Sequence, residues 1–211
     1  MTTDFKSMLD GYRRFRETGW RRERERWADL AEGQAPKVMV IACSDSRVDP
    51  ATIFDALPGE MFVVRNVANL VPPFEVGGGR HGVSAALEFA VTQLEVPEIV
   101  VMGHGQCGGV QASISRRFDD APPGEGGFIA HWIDLMDEAR DAVVARHGEG
   151  DVALRELERA TVRLSLANLR SFPPVAEREA AGKLRLHGAY FAIADGRLHL
   201  LDEATGEFAP I

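Results

Sequence analysis

The sequence is poor in cysteine and has no long apolar run. Only two cysteines occur in 211 residues, which argues against a disulfide-stabilised secreted scaffold. Nowhere do about 18 apolar residues follow one another, so no transmembrane helix is expected. The first ten residues also lack the apolar segment of a secretory signal. We therefore expect a cytoplasmic protein that has no membrane partner.

Basic residues are outnumbered by acidic ones. Lys and Arg total 24 against 32 Asp and Glu, which gives a formal net charge of -8. That balance opposes binding to a polyanion unless basic residues cluster. The one cluster, four arginines between positions 21 and 26, alternates with Glu23 and Glu25, which is typical of a solvated helix face. No nucleic-acid partner is expected.

Short apolar runs alternate with stretches of helical periodicity. Each run is four or five residues long and is bounded by polar or turn residues, which is typical of parallel strands buried on both faces. The three runs are 38–42, 61–64 and 99–102. Helical spacing occupies 4–32, 82–94, 128–146 and 151–171. Near the end, Asp195-Gly196 separates two further apolar runs and predicts a β-hairpin.

This alternation predicts an α/β fold. We expect a mainly parallel central sheet with flanking helices, a helical N-terminal arm and a C-terminal β-hairpin. The chain is of a length typical of one domain, with 1–33 as the arm and 34–211 as the core.

Three candidate metal ligands follow predicted strands. Cys43 comes directly after the first run, and His104 and Cys107 come just after the third. Because ligand sites in open α/β sheets form beyond the carboxyl ends of the strands, these side chains should converge. Thiolate and imidazole are ligands of Zn²⁺, and three protein ligands leave one position for water, as in catalytic zinc sites. The sequence therefore predicts one zinc ion per chain.

A carboxylate and a guanidinium lie beside the first ligand. Asp45 and Arg47 are two residues apart and can form a bidentate ion pair that keeps the carboxylate ionised. Such a carboxylate has two possible uses. It can orient or accept a proton from metal-bound water, or it can occupy the fourth metal position if the arginine releases it.

The segment 103–108 also fits the pattern G-x-G-x-x-G of dinucleotide-binding proteins. That fingerprint expects a second strand ending in an acidic residue about 20 positions later. Here a Pro-Gly loop follows instead. The glycines, Gly108 among them, have another use, because backbone N–H groups at a helix start can face a small anion. A nucleotide-binding oxidoreductase and a noncatalytic zinc protein remain as alternatives.

Two segments together resemble the signature of β-class carbonic anhydrases: Cys43-Ser44-Asp45-Ser46-Arg47, and the run from Gly103 to Gly109. The intervening segments 58–60, 65–69 and 71–73 also resemble that family. The likeness covers about residues 34–113 closely and the C-terminal strands more loosely.

The resemblance implies Zn²⁺ on Cys43, His104 and Cys107, with Asp45 and Arg47 as a catalytic dyad. It implies reversible hydration of carbon dioxide to bicarbonate and a proton. Gln34 matches an active-site amide that binds substrate. An apolar pocket for carbon dioxide is matched by Phe62, Val67 and Phe89, and Phe89 stands where some relatives carry tyrosine.

The resemblance also bears on assembly and regulation. Family members use the N-terminal arm to wrap a partner subunit, so a homodimer or homotetramer is expected. Relatives with a noncatalytic bicarbonate site carry tryptophan three residues before the first cysteine. Val40 occupies that place here, which points to the subgroup without the site although Arg65 is present. Hydrolysis of carbon disulfide or carbonyl sulfide by the same zinc site remains an alternative.

Overall fold

The computed structural model describes residues 4–77, 79 and 81–211 of the chain. These residues divide into two units, an N-terminal one that ends at Ala35 and a larger one from Pro36 to Ile211. Among the described residues, no helix is long and apolar enough to cross a membrane.

The N-terminal unit is helical. It comprises α1 (Phe5–Arg14), a π-helical turn (Phe15–Gly19), α2 (Trp20–Arg22) and α3 (Arg24–Glu32). Asp4 caps α1, because its side chain accepts a hydrogen bond from the Ser7 backbone N–H at 2.8 Å. The Ser7 hydroxyl accepts in turn from the Asp4 N–H, which completes a capping box. The predicted helical arm is present; it is irregular over Phe15–Gly19 and ends before Gly33.

The larger unit is built on one six-stranded sheet in the order β2-β1-β3-β4-β5-β6. The first four strands in that order are parallel, and β5 and β6 are antiparallel additions. The strands are β1 (Val38–Cys43), β2 (Met61–Asn66), β3 (Glu98–His104), β4 (Arg185–Ala192), β5 (Arg197–Asp202) and β6 (Glu207–Pro210). The mainly parallel sheet and the β4–β5 hairpin confirm the predicted fold class.

Both faces of the sheet are covered. On β1, Met39 and Ile41 belong to one buried cluster, whereas Val40 and Ala42 belong to another. This burial explains why β1 is continuously apolar rather than alternating. The α-helices of the unit are α4 (Pro50–Ile53), α5 (Gly82–Glu88), α6 (Gly108–Ile114), α7 (Gly127–Ile133), α8 (Asp137–His147), α9 (Asp151–Leu169) and α10 (Pro173–Ala180). A π-helical segment, Phe89–Gln93, continues α5.

Three details differ from the sequence-based expectations. The helix predicted over 128–146 is interrupted by a 3₁₀ turn, Asp134–Met136. In a 3₁₀ turn, side chains three residues apart align, and here Ile133 and Met136 are both buried. The prolines after α9 also begin α10, because proline fits the first turn of a helix. The short edge strand β6 was not predicted.

The segment that fits G-x-G-x-x-G lacks the continuation of a dinucleotide fold. After α6, the chain forms only helices and turns until β4 begins at Arg185, and every residue of this range is described. The second strand that would carry an acidic residue is therefore absent.

Candidate metal centre

The three predicted ligands meet at the carboxyl edge of the sheet. Cys43 ends β1, His104 ends the neighbouring β3, and Cys107 is the N-cap residue of α6. The β1–β3 register pairs Ala42 with Met102, which brings the two strand ends side by side. All three ligand residues are buried, and their ligand atoms lie within 4.8 Å of one another.

The geometry of this cluster suits a tetrahedral ion. The sulfur atoms of Cys43 and Cys107 are 3.9 Å apart. Two sulfurs about 2.3 Å from a tetrahedral Zn²⁺ would be roughly 3.8 Å apart. His104 Nδ1 lies 2.9 Å from the Gly105 carbonyl, which only accepts, so Nδ1 carries the proton. His104 Nε2 is buried without a hydrogen bond to any described residue, and its lone pair is available to a metal.

The electrostatics of the ligands also favour a cation. A hydrogen bond with Cys107 lowers the pKa of Cys43, whereas the same contact raises the pKa of Cys107. The cause is that a second thiolate beside the first is disfavoured. Burial lowers the pKa of His104, but the Cys43 thiolate and the Gly105 carbonyl outweigh burial and raise it. A divalent cation would stabilise both thiolates together. Two thiolates and an imidazole nitrogen therefore fit Zn²⁺.

Asp45 and Arg47 form the predicted ion pair. Arg47 Nε donates to Asp45 Oδ1 at 2.9 Å, and a terminal nitrogen donates to Oδ2 at 2.7 Å. The Arg47 backbone N–H also donates to Oδ1 at 3.0 Å. Hydrogen bonds from Arg47 hold the pKa of Asp45 below its usual range. The same guanidinium donates to the Gln106 carbonyl at 3.0 Å, which ties the dyad to the turn that carries Cys107.

Arg65 fixes the backbone of the loop between Cys43 and Asp49. Its guanidinium donates to the carbonyls of Cys43 at 2.9 Å and Asp45 at 2.6 Å, and it pairs with the Asp49 carboxylate at 3.1 Å. Asp49 is also the N-cap of α4. Arg65 therefore restrains both a ligand and the dyad, a role that the sequence analysis did not assign.

A strained turn after β2 lies beside the metal ligands. Ala68 and Asn69 both have positive φ, at 62° and 49°. The Trp132 indole N–H donates to the Val67 carbonyl at 2.8 Å. A Cβ on Gly109 would be 2.5 Å from Val67 Cγ1, so the start of α6 packs directly against Val67. This packing places Val67 next to the helix that follows Cys107.

Two of the other predicted pocket residues, Phe62 and Phe89, lie away from the candidate ligands of the same chain. Phe62 pairs with Met39 in the β2–β1 register, whereas Asn66 pairs with Cys43. Four residues along a strand correspond to about 13 Å. Phe62 and Phe89 pack on each other with ring centroids 6.0 Å apart, and Phe89 is 44% exposed. Gln34 belongs to the N-terminal unit, so its proposed contact with substrate remains a prediction.

A cavity of about 650 Å³ opens beside the dyad. Its lining includes Asp45, Arg47, Gly108, Glu158 and Tyr190. The last two were not predicted as site residues. The available signal was spacing, because Glu158 lies on the face of α9 that also carries buried Leu157, Thr161 and Ser165. A carboxylate in such a stripe needs a partner, and sequence alone does not name one.

Comparison with known proteins reveals a consistent likeness. The sequence model described as carbonic anhydrase matches residues 38–198. A carbonic anhydrase of Pseudomonas aeruginosa is 39% identical over 208 residues, covering 98% of this chain and 91% of that protein. The chloroplastic β carbonic anhydrase 5 of Arabidopsis thaliana is 37% identical over 92% of this chain. This chain spans only 64% of the length of the Arabidopsis protein.

Solved structures agree with this likeness. The β-carbonic anhydrase CcaA superposes with a TM-score of 0.91 at 29% identity, covering 99% of this chain and 100% of that one. A tetrameric β-carbonic anhydrase from Sordaria macrospora superposes with a TM-score of 0.78 at 28% identity, covering 93% and 96% of the two chains.

Proposed function

Since this chain belongs to the carbonic anhydrase family and to its β class, we propose that it catalyses the reversible hydration of carbon dioxide with one Zn²⁺. The products are bicarbonate and a proton. The observation that carries the proposal is the buried set of Cys43, His104 and Cys107, with its sulfurs 3.9 Å apart and His104 Nε2 unpaired among the described residues.

The metal would supply acidity, since bound Zn²⁺ lowers the pKa of water from about 15.7 to about 7. Asp45 supplies orientation. Its carboxylate is kept ionised by Arg47 and can accept a hydrogen bond from the attacking oxygen species, so that a lone pair faces carbon dioxide. The Asp45–Arg47 pair in this structure supports an arrangement in which Asp45 leaves the fourth metal position free.

Substrate contacts belong to the same proposal. The Gly108 N–H, in the first residue of α6, is proposed to face the bicarbonate oxygens, and Gln34 is proposed to bind one oxygen through its amide. Val67 is proposed as one apolar wall, because it packs against the start of α6. Phe62 and Phe89 are proposed to complete the pocket.

Phe62 lies at the start of β2, far from the strand end beside Cys43, and Phe89 packs on it. This placement bears on assembly. We propose a homodimer, or a homotetramer built from dimers, in which these two rings face the metal site of a second copy. The exposure of Phe89 and the mutual packing of the rings support this arrangement. The similar Sordaria macrospora enzyme is described as tetrameric.

The proposed subgroup lacks the noncatalytic bicarbonate site. Val40 is buried among aliphatic residues, and the Arg65 guanidinium is already engaged by two carbonyls and Asp49. These contacts support the assignment. The cytoplasmic location remains a prediction, since the similar Arabidopsis thaliana protein is described as chloroplastic.

Stopped-flow measurement of carbon dioxide hydration with a pH indicator tests the reaction. The purified protein is assayed as isolated, after chelation and after zinc is restored, and we expect fast hydration only with zinc. His104→Asn should abolish zinc-dependent turnover. His147→Asn makes the same change at an exposed helix end and should leave turnover unchanged.

The outcome also separates the alternative substrates. No hydration by the zinc-loaded protein between pH 7 and pH 9 would reject the proposed reaction. Turnover of carbon disulfide or carbonyl sulfide by that same sample would then support the hydrolase alternative.

A further inference from the structure

Glu158 is a buried carboxylate that the proposed mechanism does not use. It lies on α9, is 1% exposed, and its side chain accepts from uncharged donors in the described parts of the chain. Burial raises the pKa of Glu158. Removing a carboxylate from water is unfavourable, so a buried carboxylate needs hydrogen-bond donors as partners. The carboxylate in turn holds those donors in place.

Its two oxygens contact two different parts of the fold. Oε1 accepts from the backbone N–H of Cys107 at 2.9 Å, and Oε2 accepts from the Tyr190 hydroxyl at 2.9 Å. Cys107 is a proposed metal ligand, and Tyr190 lies on β4. Glu158 therefore links α9 to the ligand turn and to the sheet.

The phenol is itself held firmly. Tyr190 is 4% exposed and packs edge-on against His199 and Phe208, with ring centroids 6.0 and 6.3 Å away. Its hydroxyl would lie 3.1 Å from a Cβ on Gly105, so it also borders the turn. Tyr190 thus fixes the second oxygen of Glu158.

The turn from Gly105 to Cys107 depends on such contacts. Gln106 has a positive φ of 56°, an uncommon conformation for a residue with a side chain. The Gly105 N–H donates to the Phe191 carbonyl at 3.0 Å, and the Gln106 carbonyl accepts from Arg47. The Cys107 N–H is therefore the group in this turn that Glu158 fixes.

We propose that Glu158 is a positioning residue for the metal centre. It acts through the Cys107 backbone, setting where the Cys107 thiolate lies relative to Cys43 and His104, and Tyr190 orients it. The inference rests on the proposed zinc site and adds a residue outside the ligand set. Loss of an interaction that orients a ligand typically weakens metal binding about 10- to 100-fold.

Three variants separate positioning from general support of the fold. Glu158→Leu removes both acceptors, whereas Glu158→Gln keeps one oxygen for Cys107 and an amide that donates to the phenol. Tyr190→Phe removes one hydroxyl and keeps the ring. Leu166→Ala is the matched control, since it weakens the buried side of the same helix without touching the turn.

Zinc affinity is measured by competition with a chromophoric chelator, and Co²⁺-substituted protein reports ligand geometry through its visible spectrum. We expect Glu158→Leu to bind zinc about 10- to 100-fold more weakly. Glu158→Gln should stay close to wild type, and Tyr190→Phe should fall between the two. Leu166→Ala should lower the melting temperature and leave zinc affinity and the Co²⁺ spectrum unchanged.

Wild-type zinc affinity in folded Glu158→Leu would overturn the inference. So would a Glu158→Gln protein as impaired as Glu158→Leu. If Glu158→Leu fails to fold, wild-type affinity and spectrum in Tyr190→Phe would overturn it. Tight zinc binding without carbon dioxide hydration in the wild type would instead reject the proposed function and leave the role of Glu158 standing.

Discussion

Gly109→Ala is a direct test of how tightly the ligand helix packs against the turn after β2. A Cβ at this position would lie 2.5 Å from Val67 Cγ1 and 3.3 Å from the Ala68 Cβ. Carbon atoms in contact prefer about 3.5–4.0 Å, so Val67 and α6 must separate by about 1 Å. The turn has little freedom to adjust, because Ala68 and Asn69 already have positive φ and Trp132 holds the Val67 carbonyl.

Two consequences should be measurable. Overpacking of this kind typically costs about 1–3 kcal/mol of unfolding free energy. For a chain of this size, that corresponds to a melting temperature roughly 2–12 °C lower. A displacement of about 1 Å in a wall of the reaction site can reduce turnover on the order of 100-fold, so kcat/KM should fall while zinc remains bound.

Thermal unfolding and stopped-flow hydration are the two assays, with zinc content measured on the same samples. Gly82→Ala is the control, because Gly82 also lies in the first turn of a helix but has no atom within 4 Å of a built Cβ. That variant should retain wild-type stability and activity. A Gly109→Ala protein with the melting temperature and kcat/KM of wild type would refute the reasoning, since it would show that the Val67 turn yields without cost.

Three further predictions concern charge, metal and core. Arg47 lowers the pKa of Asp45, so this pair stabilises the fold above the unfolded pKa of about 3.9 and loses that contribution as pH falls through the folded value. Arg47→Met should therefore lower the unfolding free energy at pH 7, and the fall of that free energy with decreasing pH below about pH 4 should be less steep. Urea titrations of metal-free protein at several pH values measure this. The same pH dependence in the variant and the wild type would contradict it. Zn²⁺ at about 1,000 times its Kd should stabilise the protein by about 4 kcal/mol, which is roughly 8–16 °C in melting temperature. Calorimetry should show this shift in wild type and its loss in Cys43→Ser, and equal shifts in both would argue against Cys43 as a ligand. Leu166 is 2% exposed, so Leu166→Ala should lower the unfolding free energy measured by chemical unfolding by about 2–5 kcal/mol. A loss near zero would mean that the surrounding side chains fill the cavity left by leucine.

Much of the candidate metal site was predictable from the sequence because the candidate ligands are tied to strand ends. Cys43 and His104 follow continuous apolar runs, and parallel strands that are neighbours place their carboxyl ends together. Asp45 and Arg47 are close in sequence, so their ion pair is a local property of one loop. The same locality explains why the β4–β5 hairpin at Asp195-Gly196 was predicted correctly.

Other features depend on which elements pack together. The break between α7 and α8 places Ile133 and Met136 in the core, and no residue between them signals a helix end. The hydrogen bond from the Trp132 indole N–H to the Val67 carbonyl joins residues 65 positions apart. Local periodicity carries no information about such pairs.

By itself, the sequence determined the fold class, the three candidate ligands and the dyad, since each follows from strand periodicity or from neighbouring residues. Only the tertiary structure decided that Glu158 accepts from the Cys107 N–H and that Arg65 restrains the loop after Cys43. It also decided that Phe62 lies far along β2 from the candidate metal ligands of the same chain. The physical reason is that a hydrogen bond or an apolar contact acts over a few ångströms in space, whatever the distance along the chain.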